Sequence, residues 1–269
     1  MTKTLHLVIG GMKCGTTSAY DALASSGVAL TPKESSPCDP TMVGLEEARR
    51  RLERLFQDAE DVYDVSTRYT MLPLVTGVTQ RVEKLEKELN IRVHALYLTR
   101  DRRERLQSHL KHDLRRGLQT SPEEALRQDP RYVAFSLYAA QLGPWVSSER
   151  VSKIELVKTS EIPSYFRHHG LSNMNSPIPS NTAESDIVVS RLTSRVLSSH
   201  IYIDVIRPKI PSKVKSLATL RLRSRTGTEF DFGTLPKDLQ SMIEAQFASD
   251  ETQLNRLIDS GAVRTQGTS

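Results

Sequence analysis

Apolar and polar positions along this chain follow two alternating rhythms. Short apolar runs at Leu5 to Ile9, Val28 to Leu30, Val62 to Val65, Ile91 to Leu98 and Ile154 to Val157 read as strands. Ile91 to Leu98, β-branched and apolar, is the clearest central one. Between the runs, apolar residues recur every three or four positions. Ala19, Tyr20, Ala22 and Leu23 mark a helix starting at Thr16, and Leu45, Ala48, Leu52, Leu55, Phe56 and Ala59 mark a second. Leu74, Val75, Val78, Val82, Leu85 and Leu89 mark a third, with Asn90 as its C-cap. Leu106, Leu110 and Leu114 face inward on a fourth, terminated by Gly117. Ser121-Pro122-Glu123-Glu124 is a capping box with proline at the first helical position. Further helices are expected from Tyr132 to Ser148 and from Pro236 to Ile258. Strands alternating with helices predict an α/β fold, a parallel sheet with helices on both faces.

Beyond Gly170 the rhythm fades. Asn173 to Ser185 is rich in Asn, Ser and Pro and reads as a long mobile loop. Ile187 to Ile206 is mostly helical in pattern, and Lys209 to Arg225 is basic and poorly periodic. There are no internal repeats. At 269 residues and 38% hydrophobic the chain suits one domain with a real core, expected over residues 1–260. Residues 261–269 read as a polar, disordered tail.

Charge and cysteine content narrow the class. A net charge of +5 and a pI near 9.2 suggest an anionic ligand. The basic residues form no block with interleaved aromatics, so nucleic acid is not the expected partner. Two cysteines, Cys14 and Cys38, indicate no disulfide framework and fit a reducing compartment. The first strand begins almost at Met1, leaving no room for a signal peptide, and no apolar run approaches the roughly 20 residues of a membrane helix. A cytoplasmic protein without a membrane span is expected; oligomeric state is not legible.

The organising stretch is Gly10-Gly11-Met12-Lys13-Cys14-Gly15-Thr16-Thr17, between the first strand and the first helix. Main-chain N–H groups converge at such a turn, and the helix dipole adds partial positive charge. The spacing from Gly10 to Gly15 is that of the nucleotide P-loop, G-x-x-x-x-G-K-[ST]. Here, however, Thr16 follows Gly15 and the lysine sits three residues earlier, at Lys13. The second informative stretch is Arg100-Asp101-Arg102-Arg103-Glu104-Arg105-Leu106-Gln107-Ser108. An arginine at a strand end and a serine on the next helix can grip one phosphate together. Both stretches belong to the carboxyl edge of the sheet, where ligands of open α/β folds bind.

These motifs resemble those of the sulfotransferases that use 3′-phosphoadenosine-5′-phosphosulfate (PAPS). G-x-x-K-x-G-T-T is similar to their 5′-phosphosulfate loop. Arg100, Asp101, Arg105 and Ser108 match the 3′-phosphate motif R-D-P-x-x-R-x-x-S, with Arg102 in place of proline. Lys33-Glu34 resembles the K-E-x-x-F-F segment of the branch that includes heparan-type and some bacterial enzymes, with Ser35-Ser36-Pro37 replacing the aromatic part. Asp64 to Tyr69 is similar to the acceptor-lining segment ending S-P-x-Y. Ser136, Tyr138, Gln141-Leu142, Trp145 and Glu161 resemble the block S-x-Y…Q-L…W…E, in which Trp145 reads as core. The match covers Leu5 to Ile162 well and the rest loosely; Arg221 to Gly227 is a candidate for the family's basic loop over the cofactor.

The resemblance implies a P-loop-like three-layer fold and sulfuryl transfer from PAPS to an acceptor hydroxyl of a carbohydrate, lipid or other small molecule. It assigns Glu34 as catalytic base and Lys13 to charge stabilisation. Gly11, Met12, Lys13, Cys14, Gly15, Thr16 and Thr17 would hold the 5′-phosphate, and Arg100 and Ser108 the 3′-phosphate. No metal is expected: His109 and His112, three apart, read as part of a solvated helix face. Two other readings stay open, a P-loop kinase or NTPase and a non-catalytic nucleotide-binding module. The missing lysine after Gly15 counts against the first, Glu34 against the second.

Overall fold

The structure is a computed structural model and describes residues 3–33, 35–116, 118, 120–171 and 230–265. Among these residues six strands form one parallel sheet: β1 (Thr4–Gly10), β2 (Ala29–Leu30), β3 (Asp61–Ser66), β4 (Arg92–Thr99), β5 (Val151–Lys158) and β6 (Arg264–Thr265), in the order β2-β3-β1-β4-β5-β6. Helices flank it in a three-layer, P-loop-like arrangement: α1 (Thr16–Ser25), α2 (Leu45–Asp58), α3 (Val78–Leu89), α4 (Arg102–Arg115), α5 (Pro122–Gln128), α6 (Arg131–Ala134), α7 (Tyr138–Val146), α8 (Ile162–His168) and α9 (Lys237–Asp259).

β1 and β4 read as apolar runs because they are the two central strands. Leu5, Leu7, Val8 and Ile9 of β1 and Val93, Tyr97 and Leu98 of β4 are all buried. Register fixes one edge of the sheet. Ile9 pairs with Ser66, Gly10 with Leu98 and Thr99 with Lys158, so the loops after β1, β3, β4 and β5 leave together. From β1 the chain travels toward β2, beyond β3, whereas from β4 it travels the other way to β5. Neighbouring strands whose connections diverge open a crevice at their carboxyl ends. A second apolar cluster packs α4, α5 and α6 against α9 through Leu106, Leu110, Leu126, Tyr132, Leu239 and Ile243.

Several expected elements differ. The helix expected from Tyr132 to Ser148 is two helices, α6 and α7, broken at Phe135–Leu137. Tertiary hydrogen bonds stabilise the break: Arg105 Nε donates to Ser136 Oγ (2.5 Å) and Arg102 Nε to Ser136 O (3.1 Å). Asp250, from α9, then accepts from Ala139 N (3.2 Å) and Ala140 N (3.1 Å), serving as a cap supplied from another part of the chain. α3 starts at Val78 after Gly77, and Leu74 is exposed before it. Asn90 caps its end with φ 50° as expected. The Ser121 cap and Pro122 also stand as read. The segment read as a polar tail places Val263 in the core and pairs Arg264 with Glu155. Gly117, the Asn/Ser/Pro-rich loop, the Ile187 to Ile206 helix, the Lys209 to Arg225 stretch and the Arg221 to Gly227 candidate lie outside the described residues.

Candidate functional site

The loop after β1 is built by its main chain. Cys14 N donates to Gly11 O (3.0 Å), closing a turn that puts Lys13 in the left-handed region at φ 73°. That conformation is disfavoured for a residue with a Cβ. Gly15 follows at φ 89°, where a Cβ would lie 2.8 Å from Thr159 Cγ2. At Gly11 a Cβ would meet Cys14 Sγ at 3.0 Å. Gly15 therefore lets the chain turn where a larger residue would collide, and Gly11 keeps a tight approach to Cys14. α1 begins at Thr16 with no side chain capping its first N–H groups and no acidic residue in its first turn. Unopposed helix dipole and open N–H groups are what an anion cradle needs.

Not every side chain of this loop faces outward. Cys14 is fully buried and its Sγ lies 3.7 Å from Tyr138 Oη, so only its main chain can serve a ligand. Burial pushes its thiol pKa up, with the Tyr138 contact and the charges of Arg105 and Arg100 opposing. Met12, Lys13, Thr16 and Thr17 are partly exposed.

The strand end of β4 is locked to this loop. Tyr138 Oη donates to Arg100 O (2.6 Å) and accepts from Arg100 N (3.2 Å). Thr159 Oγ1 sits 2.9 Å from Cys14 O and 2.8 Å from Thr99 O, linking three strand ends. α4 starts where expected, with Asp101 Oδ1 accepting from Glu104 N (2.9 Å). Arg102, in the place of the family's proline, reaches Asp250 (2.9 Å) and Glu251 and lies over the Tyr138 ring at 4.9 Å. Arg105 is completely buried, held by Ser136 Oγ, Tyr132 O and His109 Nδ1. It braces α4 instead of facing a ligand. Arg100 itself is half-exposed, with Nε 3.0 Å from Glu104 Oε2, and Ser108 is partly exposed further along α4.

The glycine loop meets the helix that carries the second predicted stretch, four residues beyond Ser108. Lys13 Nζ lies 3.5 Å from His112 Nδ1 on α4, across 99 positions of sequence. His109 corrects the expectation of a solvated face: it is buried, ring-stacked on Phe135 (5.7 Å) and tilted against Tyr132 (4.7 Å). Burial, then the Arg105 charge, lowers its pKa to about 3. Among the described residues, no three His, Cys, Asp or Glu side chains gather as a metal site.

The acceptor-side segment is organised differently. Glu34 lies outside the described residues, but its surroundings are ordered. Lys33 N donates to Tyr20 Oη (3.0 Å), Ser36 Oγ pairs with Ser66 Oγ (2.8 Å), and Cys38 N donates to Tyr69 Oη (3.1 Å). Arg68 Nε reaches the buried Asp39 at 2.5 Å. Asp64 is buried and accepts from both Thr31 Oγ1 and Tyr69 Oη. Burial raises its pKa, opposed by those two hydroxyls. Asp64 and Tyr69, read as acceptor-lining, thus brace the loop from behind. Ser35 Oγ is buried, with no hydrogen-bond partner among the described residues.

Three residues that matter here carried no motif weight. Asp250 had a signal: it falls on the buried stripe Leu239, Ile243, Phe247, Leu254 of α9, where a carboxylate must be paired. Thr159 had none, being one threonine after a strand. Gln141, noted only as part of a resemblance, pins Leu72 through both N (2.9 Å) and O (3.1 Å). Trp145 is core, as expected. The chain matches no protein-family model and no curated protein. Among the described residues, no helix is long and apolar enough to cross a membrane.

Proposed function

We propose that the protein is a PAPS-dependent sulfotransferase, a cytoplasmic enzyme that moves a sulfuryl group to an acceptor hydroxyl. The observation that carries this reading is the approach of Lys13 to α4 at His112, one turn beyond Ser108. Register sets the glycine loop and the Arg100 strand end on one edge, and this contact ties the loop to the helix that carries Ser108. The cradle suits a phosphate: two glycines allow close approach and the helix start is uncapped. Main-chain N–H groups from Gly11 to Thr17, with the Thr16 and Thr17 hydroxyls, would hold the 5′-phosphate. Arg100 and Ser108 would hold the 3′-phosphate and so discriminate against ATP.

In such a transfer the acceptor oxygen bonds to sulfur as the bond from sulfur to the bridging phosphate oxygen breaks. The electron pair stays on that oxygen, and the acceptor proton leaves to a base, the role proposed for Glu34. Lys13 stabilises the negative charge that grows on the bridging oxygen. An NTPase reading finds less support. The acid that β3 offers, Asp64, is buried with both oxygens taken by hydroxyls.

The test is nucleotide preference. Adenosine 3′,5′-bisphosphate should raise the melting temperature far more than ATP-Mg does, and Arg100→Ala should abolish most of that preference. The arginine contributes charge-assisted bonds of about 1.5–3 kcal/mol. Equal shifts, or a larger one with ATP-Mg, would overturn the reading.

A further inference from the structure

The Lys13–His112 contact carries more than proximity. A lysine ammonium only donates, so His112 Nδ1 is the acceptor and the ring proton sits on Nε2. The backbone at Lys13 is left-handed, φ 73°, and its side chain reaches α4. His112 is four residues after Ser108, which puts the two on one face of α4, about 6 Å apart along the axis. The order along that helix is therefore Arg100 at its approach, Ser108, then His112, with Lys13 arriving from the opposite loop.

We propose that His112 is a positioning residue for Lys13. Its neutral imidazole holds the ammonium over the loop mouth and yields it to the bridging oxygen of the donor as charge develops there. This proposal rests on the sulfuryl-transfer reading. The imidazole forms no covalent bond and exchanges no proton in the step; its part in the reaction is to place Lys13. A neutral acceptor suits the task because it orients a cation without cancelling its charge. A separation of 3.5 Å is long for a hydrogen bond, which suits a contact that Lys13 gives up as the bridging oxygen becomes negative.

The experiment needs no knowledge of the acceptor. With PAPS and water as the probe, sulfate release is followed for the full chain, His112→Ala, His112→Asn, Lys13→Ala and the double variant, beside the affinity of each for adenosine 3′,5′-bisphosphate. His112→Ala should slow release by about tenfold or more, since misplacing a catalytic group costs on that scale. Nucleotide affinity should change less than about twofold, and His112→Asn, whose Oδ1 replaces the acceptor, should recover most of the rate. In the Lys13→Ala background, His112→Ala should add nothing, because a group acting through another is non-additive with it.

Unchanged release in His112→Ala, an equal loss in the Lys13→Ala background, or affinity falling as far as rate would each overturn the proposal while leaving the reading intact. Failure of the unaltered chain to bind the bisphosphate would instead overturn the reading. A measurement free of turnover guards both. The ¹⁵N resonances of the His112 ring should show the Nε2–H tautomer with Nδ1 accepting, and Lys13→Met should shift Nδ1. No shift sinks the contact itself.

Discussion

The two halves of the carboxyl edge are built from different materials. On the Lys13 side, glycines and main-chain groups do the shaping, and side chains such as Thr159 and Tyr138 serve to pin carbonyls and N–H groups. On the Thr31 to Tyr69 side, side chains bond to one another: Ser36 to Ser66, Asp39 to Arg68, Asp64 to Thr31 and Tyr69. A main-chain cradle suits a ligand of fixed shape, whereas a side-chain mesh can vary in composition and keep its bonds. The difference also decides what can be read from sequence. Main-chain cradles demand glycine at set spacings, whereas hydroxyl–carboxylate meshes are satisfied by many residue combinations.

The largest expected effect breaks the mesh without touching the cradle. Asp64→Ala leaves the Thr31 and Tyr69 hydroxyl protons buried without an acceptor, which should cost about 3 kcal/mol of stability. Chemical denaturation measures it. If the halves are independent, the folded fraction should bind adenosine 3′,5′-bisphosphate as the parent does. Asp64→Asn, which keeps one acceptor, should lose less. A parent-like denaturation midpoint for Asp64→Ala would show that the mesh holds nothing together.

A smaller effect probes the packing behind the cradle. His109 binds a proton only near pH 3 in the folded chain, against the ordinary 6.5 of an unfolded histidine. Below about pH 6.5 the unfolded state takes up a proton that the folded state refuses, so stability must fall with pH. Its contribution is complete above that pH and is lost toward pH 3, at up to about 1.4 kcal/mol per pH unit. His109→Gln should flatten the slope of unfolding free energy between pH 6.5 and 4.5. An unaltered slope would mean the ring is not held neutral.

The smallest effect sharpens the cradle side alone. Glu104 sits 3.0 Å from the Arg100 side chain, an exposed pair of the kind worth a few tenths to about 1 kcal/mol. A carboxylate there opposes an incoming anion. Glu104→Gln should therefore tighten adenosine 3′,5′-bisphosphate binding by about two- to fivefold, with the melting temperature of the free protein nearly unchanged. Titration calorimetry would detect it; weaker binding would show that Glu104 orients Arg100 for the ligand.

Legibility followed the same division. The alternation of strands and helices, the Asn90 and Ser121 caps and the burial of Trp145 all follow from local pattern, and the structure agrees. The α6–α7 break was not legible, because the groups that make it favourable, Arg105 and Asp250, come from distant segments. His109 misled because its charge-rich neighbours, Lys111 and His112, suggest an exposed face, while its ring faces Tyr132 and Phe135. At the site, the placement of Lys13 near α4 could be expected from two motifs on one edge. The partner it meets there, His112, could not, since side-chain reach across loops leaves no spacing rule.

The cap that Asp250 places on α7 also sets an order of events. It joins positions 111 apart, and its bond to Arg102 joins positions 148 apart. Contacts that span so much chain require long loops to close and form late. During synthesis the strand ends and the glycine loop emerge first, yet α7 and the start of α4 wait for a carboxylate far downstream of them. The nascent protein thus carries the glycine loop and the Arg100 strand end well before α9 supplies the buried acid that caps α7.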